Sequence, residues 1–173
     1  PQNSAIASRS DVEVQVSIGP YTLTKPIIAA PMDTISGEKM IRELARIGAL
    51  GSLPRGDLEK RVALCKQFTK ENIPCLYAVG LKNGIEEAKQ LIKAGATFLV
   101  IDVAHGGSLA AQALAKEIKQ KYKKIIVSAG NIVTYVEAES YKKHAIDVAK
   151  VGVGPGGLCT TRIVAGNGFP QLS

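Results

Sequence analysis

The stretch "TFLVIDVAHGGSLAAQALAKEIKQKY", Thr97 to Tyr122, contains one complete example of the unit from which most of the chain is built. It begins with an almost continuous apolar run that ends at Asp102, as expected for a parallel strand covered on both faces. A polar loop with two glycines follows, and an amphipathic segment starts at Ser108. The stretch therefore predicts a strand, a loop and a helix in succession, which is one βα unit.

The same pattern repeats at regular intervals along the chain. Short apolar runs predict strands at 26–31, 49–54, 75–80, 97–104, 124–130 and 147–153, and amphipathic segments lie between them. Repeated βα units imply a parallel sheet with right-handed crossovers. The sequence thus predicts an α/β fold, which leaves a closed (β/α)₈ barrel and an open doubly wound sheet as the two candidates.

The distribution of polar residues favours the barrel. Glycine and polar residues follow several of the predicted strand ends, at 32–34, 102–108, 130–131 and 154–161. A (β/α)₈ barrel builds its active site from such loops at one face, whereas a doubly wound sheet concentrates its signal at one or two loops. We predict a single catalytic TIM-barrel domain over 1–173. About six of the eight βα units are expected, with the last two missing and no second domain.

The composition argues against several classes of protein. No apolar run approaches the roughly 20 residues that span a bilayer, and the first residues lack the layout of a signal peptide, so we expect a cytoplasmic protein without membrane contact. The net charge of +7 is concentrated in "KEIKQKYKK", 116–124. Because aromatic residues are only 5% and Trp is absent, a solvated helix end is favoured over nucleic-acid binding.

The chain has three cysteines, and one of them differs from the others in its surroundings. Cys65 and Cys75 lie in apolar segments and are predicted to be small core residues. Cys159 instead follows a glycine-rich loop and precedes two threonines and Arg162. An odd number of cysteines without metal-ligand spacing predicts neither a disulfide framework nor a metal site.

The glycine-rich loop "VGVGPGGLCTTR", 151–162, is the strongest local signal of chemistry. It matches the dinucleotide pattern G-x-G-x-x-G only formally, because Pro155 and a further glycine stand where a helix should open, and the given sequence ends before the position of the acidic residue. Glycines let backbone groups approach a phosphate or an ion, and nearby N–H dipoles favour a thiolate at Cys159. The residues alone leave two interpretations open, a nucleophile beside a phosphate and a plain turn with an incidental cysteine.

Four stretches, in the same order along the chain, resemble motifs of the IMP dehydrogenase/GMP reductase family. The most specific is "KVGVGPGGLCTTRIVAGNGFPQ", 150–171, which is similar to the family's cysteine loop. The others are "PIIAAPMDT" at 26–34, "VIDVAHGGS" at 100–108 and "SAGNIVT" at 128–134. The resemblance covers nearly the whole chain and implies a TIM barrel, usually a homotetramer, that acts on purine nucleoside monophosphates such as IMP, XMP or GMP.

The resemblance also implies roles for individual residues. Cys159 corresponds to the nucleophile that attacks C2 of the purine, and Thr161 corresponds to a threonine close to the reacting centre. Met32 and Asn131 match substrate-binding positions. Asp102 matches an aspartate near the ribose and the nicotinamide, which makes it a cofactor-binding candidate for NAD or NADP.

The loop glycines carry two further implications. Gly154 and Gly157 fall on the part of the loop that binds the substrate phosphate. In the dehydrogenases, backbone carbonyls at the positions of Gly154, Gly156 and Cys159 bind a monovalent cation such as potassium. The chain departs from the usual pattern at Gly157, where the family has a serine that binds phosphate, and at Pro54-Arg55, where it often has His-Lys.

Two activities fit the resemblance. "APMDT" and "CTTRIVAG" favour an IMP dehydrogenase, which oxidises IMP to XMP with NAD and water. "FPQLS" favours a GMP reductase, which converts GMP to IMP and ammonia with NADPH, and so does the unbroken run 53–80, where most dehydrogenases insert CBS modules. The motifs favour the dehydrogenase by a small margin. A nucleotide-binding barrel fragment without turnover is the third alternative.

Four other polar positions are interpreted as structural. His105 lies at a strand end beside Asp102 and is a candidate proton shuttle, but a role in loop structure is favoured. Asp33 and Thr34 are expected to stabilise the turn after the first strand rather than to react. His144 is expected on a surface helix.

Overall fold

A computed structural model describes residues 5–170 as a parallel sheet flanked by helices, preceded by a small hairpin. The helices are α1 Glu38–Arg46, α2 Leu58–Lys70, α3 Gly84–Lys93, α4 Leu109–Lys121, α5 Tyr135–Lys143 and α6 Thr161–Val164, and a 3₁₀ turn spans Arg9–Asp11. The strands are β1 Val16–Ile18, β2 Tyr21–Leu23, β3 Gly51–Leu53, β4 Cys75–Val79, β5 Phe98–Asp102, β6 Ile126–Ile132 and β7 Val148–Val151.

The five strands β3 to β7 form one parallel sheet, and each pairs with the next one along the chain. A helix follows each of them in sequence. This sequential parallel order confirms the predicted α/β class and agrees with part of a TIM barrel. The carboxyl ends of the strands consequently share one edge, where the predicted site residues lie.

The first strand was predicted over 26–31, which is longer than the structure shows. It forms only an isolated parallel bridge between Ile28 and Leu50. The chain turns on both sides of this bridge, because Ile27 N–H donates to Lys25 O at 2.7 Å and Met32 N–H donates to Ala30 O at 2.8 Å. These tight turns leave too little extended backbone for a longer ladder beside β3.

The hairpin β1–β2 was not predicted. Its strands pair antiparallel with Val16 opposite Leu23, around a turn that contains Gly19 at φ +57°. The Tyr21 ring stacks on Phe98 with 6.3 Å between centroids, and its hydroxyl lies 2.5 Å from that of Thr97. The hairpin therefore covers the amino end of β5, opposite the edge that carries the site.

Two apolar clusters lie on the two faces of the sheet. The larger one joins the sheet to helices α2, α3 and α4, and includes Phe68, Leu91 and Ile118. The smaller one lies on the other face and consists of Leu23, Leu50, Leu76, Ala78, Phe98 and Val100. Because side chains alternate along a strand, Asp102 extends the face of Phe98 and Val100 to the carboxyl end of β5.

The two cysteines predicted for the core are buried. Cys65 has 0% and Cys75 has 1% of its surface exposed. Burial raises the pKa of the Cys65 thiol and raises that of Cys75 to about 12. Because only the thiolate is an effective nucleophile, these two cysteines are suited to packing and not to catalysis.

The lysine-rich run ends helix α4, as expected. Lys121 pairs with Glu117 on the same helix at 2.7 Å, and Lys119 pairs with Asp147 before β7 at 2.8 Å. The run thus has acidic partners within the chain. Among the described residues, no helix has the length and apolar character needed to cross a membrane.

A buried arginine connects three elements on the helix side of the sheet. The Arg61 side chain on α2 is 5% exposed and pairs with Glu87 of α3 at 3.0 Å. Its guanidinium also donates to the backbone carbonyl of Ala78 in β4. Removing one partner of a buried ion pair is costly, because the other charge stays buried without compensation.

We predict that Arg61→Ala lowers the free energy of unfolding by about 3 kcal/mol, since Glu87 and the Ala78 carbonyl lose their partner. Arg46→Ala is the matched control, because Arg46 pairs with Glu43 at an exposed position. The control is expected to cost less than about 1 kcal/mol. Urea unfolding followed by circular dichroism measures both, and equal losses would contradict the role assigned to Arg61.

Candidate active site

A cavity of about 350 Å³ lies where the carboxyl ends of β5, β6 and β7 meet the glycine-rich loop. Six residues singled out from the sequence line it together, although they are widely separated along the chain. They are Met32, Asp102, Asn131, Gly154, Cys159 and Thr161. Gly156 and Gly157 belong to the same loop but do not line the cavity.

Asp102 and Lys150 form an ion pair across the wall of this cavity. In the register of the sheet, Asp102 on β5 lies beside Gly130 on β6, and Gly130 lies beside Lys150 on β7. Lys150 Nζ lies 2.6 Å from Asp102 Oδ1. The pair thus spans the middle strand at the position where that strand has no side chain.

Asn131 connects the end of β6 to the start of the glycine-rich loop. Its side-chain amide donates to Gly152 O at 2.6 Å, and Gly152 N–H donates to Ile132 O at 2.8 Å. The backbone carbonyl of Asn131 accepts the N–H of Gly106, from the loop after β5, at 2.9 Å. The loop after β5 and the glycine-rich loop are therefore both held to the end of β6 through one residue.

The glycine-rich loop folds back onto the segment that follows it. Gly154 has φ +63°, and a Cβ at this position would lie 2.8 Å from Arg162 Cγ. Val153 O accepts the N–H of Phe169 at 2.8 Å, and Gly156 O accepts that of Cys159 at 3.0 Å. Glycine at 154 provides both the left-handed conformation and the space for Arg162.

Cys159 lies at the mouth of the cavity, with its Sγ 3.3 Å from the Thr161 hydroxyl oxygen. Hydrogen bonds from the Thr161 side chain and backbone lower the pKa of the Cys159 thiol, and the nearby positive charge of Arg162 contributes in the same direction. The thiol is partly exposed. Cys159 is therefore the accessible and activated thiol of the described chain, in contrast to the two buried cysteines.

Comparison with known proteins agrees with this arrangement. The model of the IMP dehydrogenase / GMP reductase domain matches residues 1–173. The chain belongs to this family. It is similar to the GMP reductase of Streptococcus equi subsp. equi (strain 4047), with 32% identity over 169 residues, which are 97% of the chain and 52% of the relative. The chain thus spans about half the length of the curated relatives it matches.

A second relative shows the same level of similarity. The GMP reductase of Lactococcus lactis subsp. cremoris (strain MG1363) is 32% identical over 171 residues, again covering 97% of the chain and 52% of the relative. Both alignments include nearly all of the chain, so the family assignment does not depend on the cysteine loop alone.

The resemblance implies a monovalent-cation site formed by three backbone carbonyls of the glycine-rich loop. Of its three predicted carbonyls, that of Gly156 already accepts a hydrogen bond from Cys159. This bond uses one of its lone pairs within the loop. Potassium binding through the backbone carbonyls of Gly154, Gly156 and Cys159 therefore stays a prediction from the resemblance, and the proposed reaction does not depend on it.

Two charged residues of the cavity were not among the predicted site residues. Arg55, noted in the sequence only as part of the Pro54-Arg55 departure from the family pattern, lines the cavity wall. Lys150, from β7, was missed. The signal for Lys150 was present, since a lysine inside the apolar run "DVAKVGV" requires a partner when that run is a strand.

The positions interpreted as structural lie outside this cavity. His105 is largely exposed and lies 3.7 Å from Glu137, whose carboxylate also caps helix α5 through Thr134. Asp33 and Thr34 lie inside the turn closed by hydrogen bonds from Ile35 and Ser36 to Met32 O. His144 ends helix α5, close to the expected surface-helix position.

We predict that Thr161→Val moves the pH midpoint of Cys159 alkylation by iodoacetamide to higher pH. The substitution removes the hydroxyl that stabilises the thiolate, so the pKa of Cys159 rises and less thiolate is present at neutral pH. Thr160→Val is the matched control and is expected to leave the midpoint unchanged. Mass spectrometry of the Cys159 peptide measures both. An unchanged midpoint in Thr161→Val would show that Thr161 does not activate the thiol.

Proposed function

We propose that the protein is a nicotinamide-dependent oxidoreductase of purine nucleoside monophosphates that uses Cys159 as a covalent nucleophile. The observation that carries the proposal is the pairing of Cys159 with Thr161 at the mouth of a cavity that also contains Asp102 and Asn131. Family membership supports the reaction class. The pairing provides what covalent catalysis requires, namely a thiol with a lowered pKa that faces a binding cavity.

Within this class we propose a GMP reductase. The relatives described above are named GMP reductases, and this replaces the small preference for an IMP dehydrogenase drawn from the sequence motifs. One motif used in that comparison, "FPQLS", falls partly outside the described residues, at 171–173. IMP dehydrogenase activity with NAD, and nucleotide binding without turnover, remain as alternative outcomes of the tests below.

The proposed chemistry begins at the thiolate. Cys159 attacks C2 of GMP, a C–S bond forms, and the 2-amino group leaves as ammonia after gaining a proton. The Thr161 hydroxyl donates a hydrogen bond to the Cys159 thiolate before the attack. It donates this bond again when the sulfur leaves C2 as a thiolate. A reduced nicotinamide, when bound, supplies the hydride that replaces sulfur at C2. The chain mainly contributes positioning of the base over the thiolate.

The cavity residues fit a ligand that carries ribose hydroxyls. Asp102 Oδ1 is held by Lys150, and among the described residues Oδ2 accepts no hydrogen bond. A carboxylate oxygen at a cavity wall can accept hydrogen bonds from hydroxyl groups, as carboxylates do from ribose in nucleotide sites. We therefore propose Asp102 for the ribose and nicotinamide side, and Met32 and Asn131 for the substrate side. Gly154 and Gly157 would hold the phosphate.

The remaining expectations from the resemblance stay predictions. They are a homotetramer, a cytoplasmic location, a single barrel domain without a CBS module, and a potassium ion in a dehydrogenase-type enzyme. None of them enters the proposed reaction.

We predict that Cys159→Ala lowers turnover by on the order of a thousandfold or more, because the covalent route is lost. Absorbance of the reduced nicotinamide is followed in two mixtures, GMP with NADPH and IMP with NAD plus potassium. A fall in the first supports the reductase, and a rise in the second supports the dehydrogenase. The variant is expected to keep its affinity for GMP, which shows that its folding is intact. Unchanged turnover would exclude the covalent mechanism.

We predict that Gly157→Ser lowers the KM for the nucleotide severalfold. A Cβ at Gly157 meets nothing within 4 Å, so a serine fits and adds a hydroxyl donor for the phosphate. Gly154→Ser is the contrasting variant, because φ +63° and Arg162 leave no room for its side chain. It is expected to weaken binding. Steady-state kinetics with GMP measures both, and a higher KM in Gly157→Ser would contradict the phosphate role of this loop position.

A further inference from the structure

Lys150 is a charged side chain in an otherwise apolar strand, and it makes one specific contact. Its ammonium lies 2.6 Å from Asp102 Oδ1, and the side chains of Lys150 and Asp102 are 31% and 23% exposed. In the strand register, Gly130 lies between the two residues. The contact therefore depends on three neighbouring strands and not on flexible surface side chains.

Gly130 provides the space that the pair needs. A Cβ at this position would lie 2.5 Å from both the Cβ and the backbone oxygen of Lys150. Any other residue here would push β7 away or displace the lysine. The combination of aspartate, glycine and lysine across three strands thus forms one unit, in which the glycine allows the two charges to meet.

The pair also restricts the carboxylate. Lys150 holds Oδ1, and Oδ2 accepts no bond from the described residues. A charge-assisted contact of this length is directional and limits rotation of the carboxylate. The carboxylate thus has one oxygen held by Lys150 and one without a donor among the described residues, and Asp102 lines the cavity that contains Cys159.

We infer that Lys150 is a positioning residue that orients Asp102 to accept hydrogen bonds from the hydroxyls of a ribose. The inference rests on the proposed function, which supplies ribose-bearing ligands. The ribose belongs either to the purine nucleotide or to the nicotinamide cofactor. In both cases a ribose hydroxyl donates a hydrogen bond to Asp102 Oδ2. Lys150 lines the same cavity, and in this inference it affects binding through Asp102 and not through a contact of its own with the ligand.

The test is a double-mutant cycle with Lys150→Met, Asp102→Asn and the double variant in the full chain. Dissociation constants are measured for GMP, 2′-deoxy-GMP and NADPH by calorimetry or NADPH fluorescence. Lys150→Met is expected to weaken binding of the ribose-bearing ligand about tenfold, the size expected when an oriented charged hydrogen bond is lost. The double variant is expected to bind no more weakly than Asp102→Asn. Lys150→Arg is expected to restore most of the affinity.

The ligand arms identify which ribose is bound. If Lys150→Met loses affinity for GMP alone, and not for 2′-deoxy-GMP, the contact is assigned to the nucleotide 2′-hydroxyl. A loss confined to NADPH assigns it to the cofactor. Either pattern supports the inference, since both require an oriented Asp102.

Lys119→Met is the matched control. Lys119 also pairs with an aspartate, Asp147, at 2.8 Å, and its side chain is 18% exposed, but the pair lies away from the cavity. This variant is expected to bind all three ligands like the wild type. A comparable loss of affinity in Lys119→Met would mean that general destabilisation explains the effect, and would overturn the positioning role.

Three other results would overturn the inference. Unchanged binding by Lys150→Met, with the wild type binding normally, removes the positioning role and leaves the proposed function intact. Additive losses in the double variant mean that Lys150 contacts the ligand directly instead of acting through Asp102. A wild-type chain that binds none of the three ligands overturns the proposed function, and the inference with it.

Discussion

The parallel register of β5, β6 and β7 is the constraint on which the candidate site depends. It aligns Asp102, Gly130 and Lys150 across neighbouring strands, and it brings the loops after these strands to one edge. Cys159 reaches the cavity only because the loop after β7 starts at this edge and is tied to β6 through Asn131. A shift of one residue in any of the three strands would turn these side chains to the opposite face.

Glycines have two separate functions at this edge. At Gly130 the missing side chain leaves room for an ion pair that crosses the strand. At Gly154 the backbone adopts a left-handed conformation and lies against Arg162, which contributes to the low pKa of Cys159. The first glycine serves packing and the second serves backbone conformation.

The cysteines show how environment decides the chemistry of one residue type. Cys65 and Cys75 are surrounded by core side chains, and burial raises the pKa of both thiols. Cys159 faces the cavity with a hydroxyl at 3.3 Å, and its pKa is lowered. The local sequence already separated these cases, because apolar neighbours indicate a core cysteine whereas glycine and threonine neighbours indicate an accessible one.

The sequence by itself determined the alternation of strands and helices, the class of the fold and six of the residues that line the cavity. The alternation and the fold class follow from local patterns, namely apolar runs, helical spacing and the loops after strand ends. The six residues were named through the resemblance to the family's motifs. It did not predict the β1–β2 hairpin, the shortening of the first strand to one bridge, or the place of Lys150. The hairpin is anchored by Tyr21 on Phe98, and Lys150 is paired through a register across three strands. Only the tertiary structure decides such features, because they depend on contacts between residues far apart in the chain.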